Sequence, residues 1–415
     1  MQYMMINKFN VLYLFCITLT TPIIAQQTNN LSSSPYSLYG LGITNNTSTG
    51  KTNALGKMGI ALPSLSFINN SNPASFASIP SNRFLFDFGL KAQSEILRKS
   101  RNEESRFNTN FSSLAIAFPI SKNSGFGVTL LPYTNVGYTI SGILSSIEGS
   151  TSNFITDING SGGINDFKLS YGYRINDNFR LGINGSFLFG LIEEQETNTI
   201  GGSILTIDEK NNYTGFRLGF GIQYDVSYNI SLGAIINTAT NLNGEQENIT
   251  ALDGNELNLS ENNLPTFQLP LEIGFGVLTK LTNKIGLNFD YKKNFWNTTN
   301  QSDNIGNFVD QDFLGIGLEY TPKKRGLKYW ENIQYRTGFN FDSGSLEIDN
   351  NKISNYEFNL GLGLPLKRGS NSMLNIEYSY GKKGTVSNGL IQENYHSLSL
   401  NLSLEGIWFK KRKID

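Results

Sequence analysis

Apolar and polar residues alternate along most of the chain from Arg83 to its end. In residues 398–405, Leu398, Leu400, Leu402 and Leu404 share one face, and Ser399, Asn401, Ser403 and Glu405 share the other. A period of two with one apolar and one polar face is the pattern of a strand covered on one side. It recurs at Phe216, Leu218, Phe220 and Ile222, and again at Phe358, Leu360, Leu362 and Leu364. Bounded by turn residues, it predicts about fourteen strands. They lie near 83–93, 109–119, 125–138, 163–174, 179–194, 213–225, 230–238, 270–281, 284–293, 311–322, 333–342, 356–365, 372–380 and 394–409.

The links between these strands alternate in length. Short ones sit at 121–124, 175–178, 227–229, 282–283 and 367–371, with 323–332 a longer member of the set. Long ones sit at 94–108, 139–162, 195–212, 239–269, 294–310, 343–355 and 381–393. A soluble sandwich has no reason to alternate short and long, whereas an outer-membrane barrel has short periplasmic turns and long outer loops. Closure is required there because every backbone N–H and C=O in hydrocarbon needs an internal partner. The expected fold is therefore all-β, an antiparallel transmembrane barrel of about fourteen strands. The alternative is a periplasmic all-β protein, whose apolar faces would have to meet in a shared core. Tyr171, Tyr173, Tyr291, Tyr320, Tyr378, Tyr380 and Trp408 fall toward strand ends on the apolar face, as an interfacial girdle requires. An even strand count puts both termini on the periplasmic side.

Composition sharpens this picture. The 42 glycines, 28 phenylalanines and 19 tyrosines against 11 prolines suit many strands and turns. Lys8, the largely apolar residues 9–24 and the small Ala25 read as a secretory signal peptide over residues 1–25, cleaved before Gln26. Cys16 falls inside it, so the mature chain would have no disulfide, thiolate metal site or cysteine nucleophile. The formal net charge of −1, with the two signs interspersed, leaves no footprint for nucleic acid.

By parity the polar face would line the lumen. It carries Lys168, Arg174, Arg217, Asp225, Glu272, Asp290, Lys292, Glu319, Arg336, Glu377 and Glu405, whose mixed signs argue against a strongly ion-selective pore. Gly172, Gly219, Gly221, Gly274, Gly276, Gly286, Gly315, Gly317, Gly338, Gly361 and Gly363 fall there too. Strand glycines mark close approach of a ligand or another backbone, or local bending. Catalysis has little support: the one histidine, His396, shares the leucine face of the last strand. Residues 157–166, DINGSGGIND, read as a loop with oxygen ligands for calcium, but without the spacing of an EF-hand. No cofactor is expected.

Residues 26–82 precede the first strand. Leu55, Met58, Ile60, Leu62, Leu65 and Phe67 are too many apolar residues for a free tail, and the glycine-lined lumen is the enclosed volume on offer. The plug and hinge candidates are Leu55, Gly56, Met58, Gly59, Asn72, Pro73 and Ala74. Pro73 and Pro80 keep 68–80 out of the wall, and Asn72-Pro73 reads as a turn leading the plug out of the lumen into strand one.

Residues 54–77, a glycine-rich apolar stretch followed by a polar gap and Asn72-Pro73-Ala74, resemble the N-terminal signature of the FadL-type outer-membrane family. Residues 34–37, residues 39–42 and the ending 408–413 resemble FadL-like barrels of Bacteroidota. The resemblance implies fourteen strands over residues 83–409, an N-terminal hatch in the lumen and a short basic tail, 410–415, in the periplasm. Many such barrels pass hydrophobic molecules into the membrane; others are accessory parts of export machinery such as the type IX secretion system. Lys57 and Met58 interrupt the family's fuller glycine pattern.

Two functions follow as expectations. One is passage of hydrophobic small molecules, which needs a continuous apolar path, with 239–269 as a cap and Leu252, Leu257, Leu259 and Leu264 as contacts. The other is a non-catalytic subunit of an outer-membrane protein assembly or secretion complex, which needs a plugged lumen. The partners are outer-membrane lipid and either a hydrophobic ligand or other outer-membrane proteins.

Overall fold

The computed structural model describes residues 34–46, 48–146, 153–299, 301, 306–323, 326–367 and 370–407. Residues 1–25, expected from the sequence to be a signal peptide and containing Cys16, lie outside these residues, as do Trp408 and residues 410–415, expected to be a basic tail.

Alternating side chains build the wall. Fourteen wall strands are seen among the described residues: β1 (Arg83–Lys99), β2 (Asn102–Pro119), β3 (Ser124–Pro132 and Thr134–Ser146), β4 (Asn153–Arg174), β5 (Phe179–Ile200), β6 (Ser203–Asp225), β7 (Ile230–Asn237 and Thr240–Leu252), β8 (Asn255–Leu269 and Glu272–Lys280), β9 (Ile285–Asn294), β10 (Gln311–Tyr320), β11 (Gln334–Asp342), β12 (Asn355–Pro365), β13 (Met373–Lys383) and β14 (Gln392–Ile407). Each is antiparallel to its neighbours, and β14 returns to pair with β1 from Arg83↔Ile407 to Arg98↔Gln392. The ring is complete at the end with the short turns, where no strand edge is left to satisfy.

Outward positions are apolar and exposed: Phe275 is 55% exposed and Phe358 54%. An apolar belt facing out and a polar lumen facing in make this a transmembrane barrel of the outer-membrane type.

At the other end the wall differs from expectation. Residues 94–108 and 195–212 are tight hairpins rather than loops, turning at Ser100 with φ 54° and at Gly201-Gly202 with φ 57° and 102°. Residues 239–269 are mostly the paired upper segments of β7 and β8, turning at Asp253-Gly254. They form no cap: Leu257 is 61% and Leu259 51% exposed, Leu252 is exposed, and Leu264 is half-buried. Residues 157–166 are likewise inside β4, where successive side chains point to opposite faces and cannot gather around a cation. Strands of 22 and 23 residues, β5 and β6, exceed the roughly 9–11 needed to cross a bilayer. Their excess stands beyond the membrane.

The wall also parts at this end. β2 pairs with β3 only from Leu114↔Leu130 to Pro119↔Gly125. Beyond Pro132 the upper segment of β3 leaves β2, and Asn135 and Thr134 pair instead with Ile43 and Thr44 of the N-terminal segment.

Candidate functional site

The lumen holds the chain's own N-terminal segment, and the glycines of the wall explain how. Gly125, Gly172, Gly182 and Gly221 are direct partners across β3, β4, β5 and β6. Against this four-strand track lies a short 3₁₀ turn, Pro73–Ser78. A Cβ on Gly125 would stand 2.1 Å from the Phe76 carbonyl oxygen, and one on Gly182 would stand 2.2 Å from the Ala74 nitrogen. One on Gly221 would stand 2.1 Å from Asn72 Oδ1. Residues 54–61 use a second set. A Cβ on Gly338 would meet the Gly56 nitrogen at 2.1 Å, and one on Gly233 would meet the Ile60 oxygen at 2.4 Å. On Gly315 it would meet Met58 Cε at 2.1 Å, and on Gly361 the Ala54 Cβ at 2.3 Å. Of the two meanings of strand glycines, close approach of another backbone holds here. Three of the predicted glycines differ: Gly219 and Gly363 make room for wall side chains, Asn237 and Asn184 for the first and Arg336 for the second, and Gly286 faces open space.

Polar groups lock the plug. Asp290 accepts the amides of Gly59 and Ile60, each at 2.8 Å. The Asn72 side chain caps its own turn through the Ala74 amide at 2.9 Å and donates to the oxygens of Ile60 at 2.8 Å and Ile222 at 2.9 Å. Arg174 donates to the Ala77 oxygen at 3.1 Å. Two ion pairs cross from plug to wall: Lys51 to Glu319 and Lys57 to Glu357, each 2.8 Å. Asp87 accepts the Gly50 amide at 3.2 Å and the Ser403 hydroxyl at 2.5 Å. Leu55 and Phe76 are completely buried, and Met58 nearly so.

The other inward candidates serve the wall. Arg217 donates to the oxygens of Thr238 and Pro270 at 2.8 and 2.7 Å, tying the breaks in β7 and β8 together. Arg336 reaches Glu319 at 2.9 Å and Asn375 at 2.7 Å. Asp225 pairs with Arg180, Lys168 with Asp166, and Glu405 with Arg83. Glu272 accepts from Asn237 and Glu377 from Asn359. Lys292 sits 4.7 Å from the centre of the Phe313 ring. His396 points outward, its Nδ1 2.7 Å from the Tyr378 hydroxyl, so no nucleophile in the lumen has a histidine beside it.

Asn72-Pro73 is not the way out of the lumen. Asn72, Ala74 and Phe76 are fully buried, and the chain turns into β1 only after Pro80. The described chain also begins at the far rim. Ser34 donates to Glu393, and Tyr36 donates to the Ile391 oxygen at 2.6 Å, both at the start of β14. Burial pushes the Tyr36 hydroxyl up to about 12, which keeps it a neutral donor. Strand parity orients the barrel's two ends, but the segment ahead of β1 climbs the lumen first.

Sequence reasoning passed over Asp87, Glu357 and the lid. Asp87 was visible, as an inward charge in the apolar run RFLFDFGL. The lid was not. Trp296 and Phe308 stack at 4.8 Å and join Leu41 in a buried cluster over the lumen. The short strands Gly306–Phe308, Leu346–Ile348 and Asn351–Lys352 cover that end. Beneath lie two spaces of ≈ 150 and ≈ 160 Å³ lined by charged residues such as Lys57, Glu95 and Lys292 together with apolar ones such as Ile353 and Ile235. A wider vestibule of ≈ 930 Å³ opens at the short-turn end, lined by Leu65, Arg174 and Glu319 among others.

A fourteen-strand transmembrane barrel filled by its own leading segment is the architecture of the FadL-like barrels. The chain superposes on a Pseudomonas aeruginosa FadL homologue with a TM-score of 0.61 at 12% identity, over 88% of this chain and 100% of that one. It is similar to the Pseudomonas putida toluene transporter TodX (TM-score 0.60, 12% identity, 87% and 98%). It is also similar to the Ralstonia pickettii toluene transporter TbuX (0.54, 14%, 85% and 97%). At these identities the likeness is one of fold. No curated protein matches the chain in sequence. The chain belongs to the BamG family, whose model matches residues 5–415.

Proposed function

We propose that this chain is a sealed outer-membrane barrel serving as a non-catalytic subunit of an outer-membrane protein assembly or secretion complex. The observation that carries this reading is the seat of the plug: its backbone lies on the wall glycines and its Lys57 is paired with buried Glu357. A passage for hydrophobic molecules needs a continuous apolar path. The spaces above the plug are small and interrupted by charged side chains, and the apolar cluster of that half is filled by Leu41 and Trp296. In this reading the short turns face the periplasm, as in other bacterial barrels, and residues 410–415 present a basic tail there. The likeness of residues 34–42 and 408–413 to Bacteroidota barrels supports a member of that type. Affinity purification in mild detergent tests the reading. A stable stoichiometric partner is expected, and a barrel recovered alone with bound hydrophobic ligand contradicts it.

The second reading is passage of hydrophobic small molecules. The fold it shares with the toluene transporters favours it, as does the parting of β2 from β3. It predicts uptake of such a molecule by cells carrying the barrel, lost when the wall is closed at that point.

A further inference from the structure

Sealing the barrel does not account for the wider space at the short-turn end. It measures ≈ 930 Å³ and lies between the plug and the short turns. Its floor is the plug stretch 62–67, where Leu62 and Phe67 are buried with Leu278 but Leu65 is left 53% exposed. Gly286, on its wall, has no atom within 4 Å of where a Cβ would stand. The charges around the space do not balance. Arg174 and Arg180 are direct partners across β4 and β5. Arg180 has a carboxylate, Asp225 at 2.7 Å, whereas Arg174 has only the Ala77 oxygen at 3.1 Å. The Nε of each is shielded and has no hydrogen-bond partner among the described residues. Lys280 holds the Tyr228 oxygen at 3.0 Å, and Lys284 pairs with no carboxylate among the described residues. Of the lining carboxylates, Asp225 and Glu319 are already paired, which leaves Asp177. The short turns, 120–123, 175–178, 226–229, 281–284, 321–333 and 366–372, carry eight lysines and arginines against Asp177 and Glu331, in a chain whose net charge is −1.

We propose that this vestibule is the docking site for a segment of a periplasmic partner protein that carries carboxylates around an apolar residue. Charge selects the occupant. A surplus of cations in a recess walled by protein draws in acidic chains and repels basic ones. Residues 410–413 of this chain, KKRK, have the sign of the surplus, so they are the wrong occupant. A hydrocarbon would find one exposed leucine ringed by charge. The partner's apolar residue covers Leu65 as an anchor held in a recess, with polar contacts around it. Its carboxylates reach Arg174 on one side and Lys280 and Lys284 on another. Gly286 leaves the width that a polypeptide needs. The proposal rests on the subunit reading above and places the contact inside the barrel, below the plug.

The test uses the full chain in native outer membranes. A photo-crosslinking residue replaces Leu65, with Leu400 on the outer face of β14 as control. A protein adduct at Leu65 and none at Leu400 is expected. The captured peptide, read by mass spectrometry, should carry more Asp and Glu than Lys and Arg. Gly286→Trp fills the recess from the wall and should lower the adduct about tenfold. Lys284→Glu, on an exposed turn, should lower it about fivefold, the weight of one surface ion pair. Lys284→Arg keeps the charge and should leave the yield unchanged. In all three the heat-resistant migration of the folded barrel should persist. A basic or neutral peptide, an adduct to residues 408–415 of this chain, or an adduct to anionic phospholipid alone overturns the proposal. So does a yield indifferent to both Gly286→Trp and Lys284→Glu. If a stoichiometric partner purifies with the barrel while Leu65 captures no protein, the vestibule is wrong and the subunit reading stands. If no partner purifies and Leu65 captures nothing, both fail.

Discussion

The two ends of the barrel were built under different constraints. Toward the short-turn end the wall closes, and the plug backbone lies directly on tracks of lumen-facing glycines. At the far end the strands outrun the membrane, β3 leaves β2, and loops fold inward as a lid. The glycine track behaves as a protein core and the far end as a surface. A substitution should therefore be felt in proportion to its closeness to the glycine track.

The largest effect is expected from Gly182→Leu. Its new side chain would begin 2.2 Å from plug backbone that cannot move aside, well past the overpacking that ordinarily costs 1–3 kcal/mol. The plug should be displaced and residues around 73–78 become protease-sensitive, as read by mass spectrometry of cleaved outer membranes. Next is Lys57→Ala, which removes the cation paired with buried Glu357 and leaves that carboxylate only the Tyr395 hydroxyl and the Asn359 amide, at a cost of roughly 3 kcal/mol. A double-mutant cycle with Glu357→Gln in thermal unfolding measures it, and the second change should restore most of the loss. Asp290→Ala comes third. It removes the acceptor for the amides of Gly59 and Ile60 and should cost about 2 kcal/mol in the same assay. At the other end, replacing residues 247–261 by a two-residue turn should leave barrel stability within about 0.5 kcal/mol. If that trimming destabilises the barrel as much as Asp290→Ala does, the contrast between the ends is false.

The same contrast decided what the sequence made legible. Alternation reports a strand only while one face meets lipid. Residues 213–225 of β6 alternate cleanly, whereas 203–212, SILTIDEKNN, belong to the same strand but stand in water on both sides and read as a loop. The hairpins at 195–212 and 239–269 were missed for that reason. The lumen candidates were found by parity because parity survives wherever one face is apolar. What parity lacks is the third dimension: it put Asp290 in the lumen but not its hold on Gly59 and Ile60. Asn72-Pro73 read as an exit turn because Asn-Pro favours turns. The turn is there, but four strands of glycine leave room for it inside the barrel. The Ser34–Tyr36 contact with β14 spans most of the chain length and leaves no local signal.

The central claim is that the plug seals the barrel. Conductance in planar bilayers tests it directly, comparing the intact chain with one lacking residues 26–81. The intact barrel should be silent, and the shortened one should conduct ions in discrete steps. Steps of the same size from both would mean that the plug closes nothing.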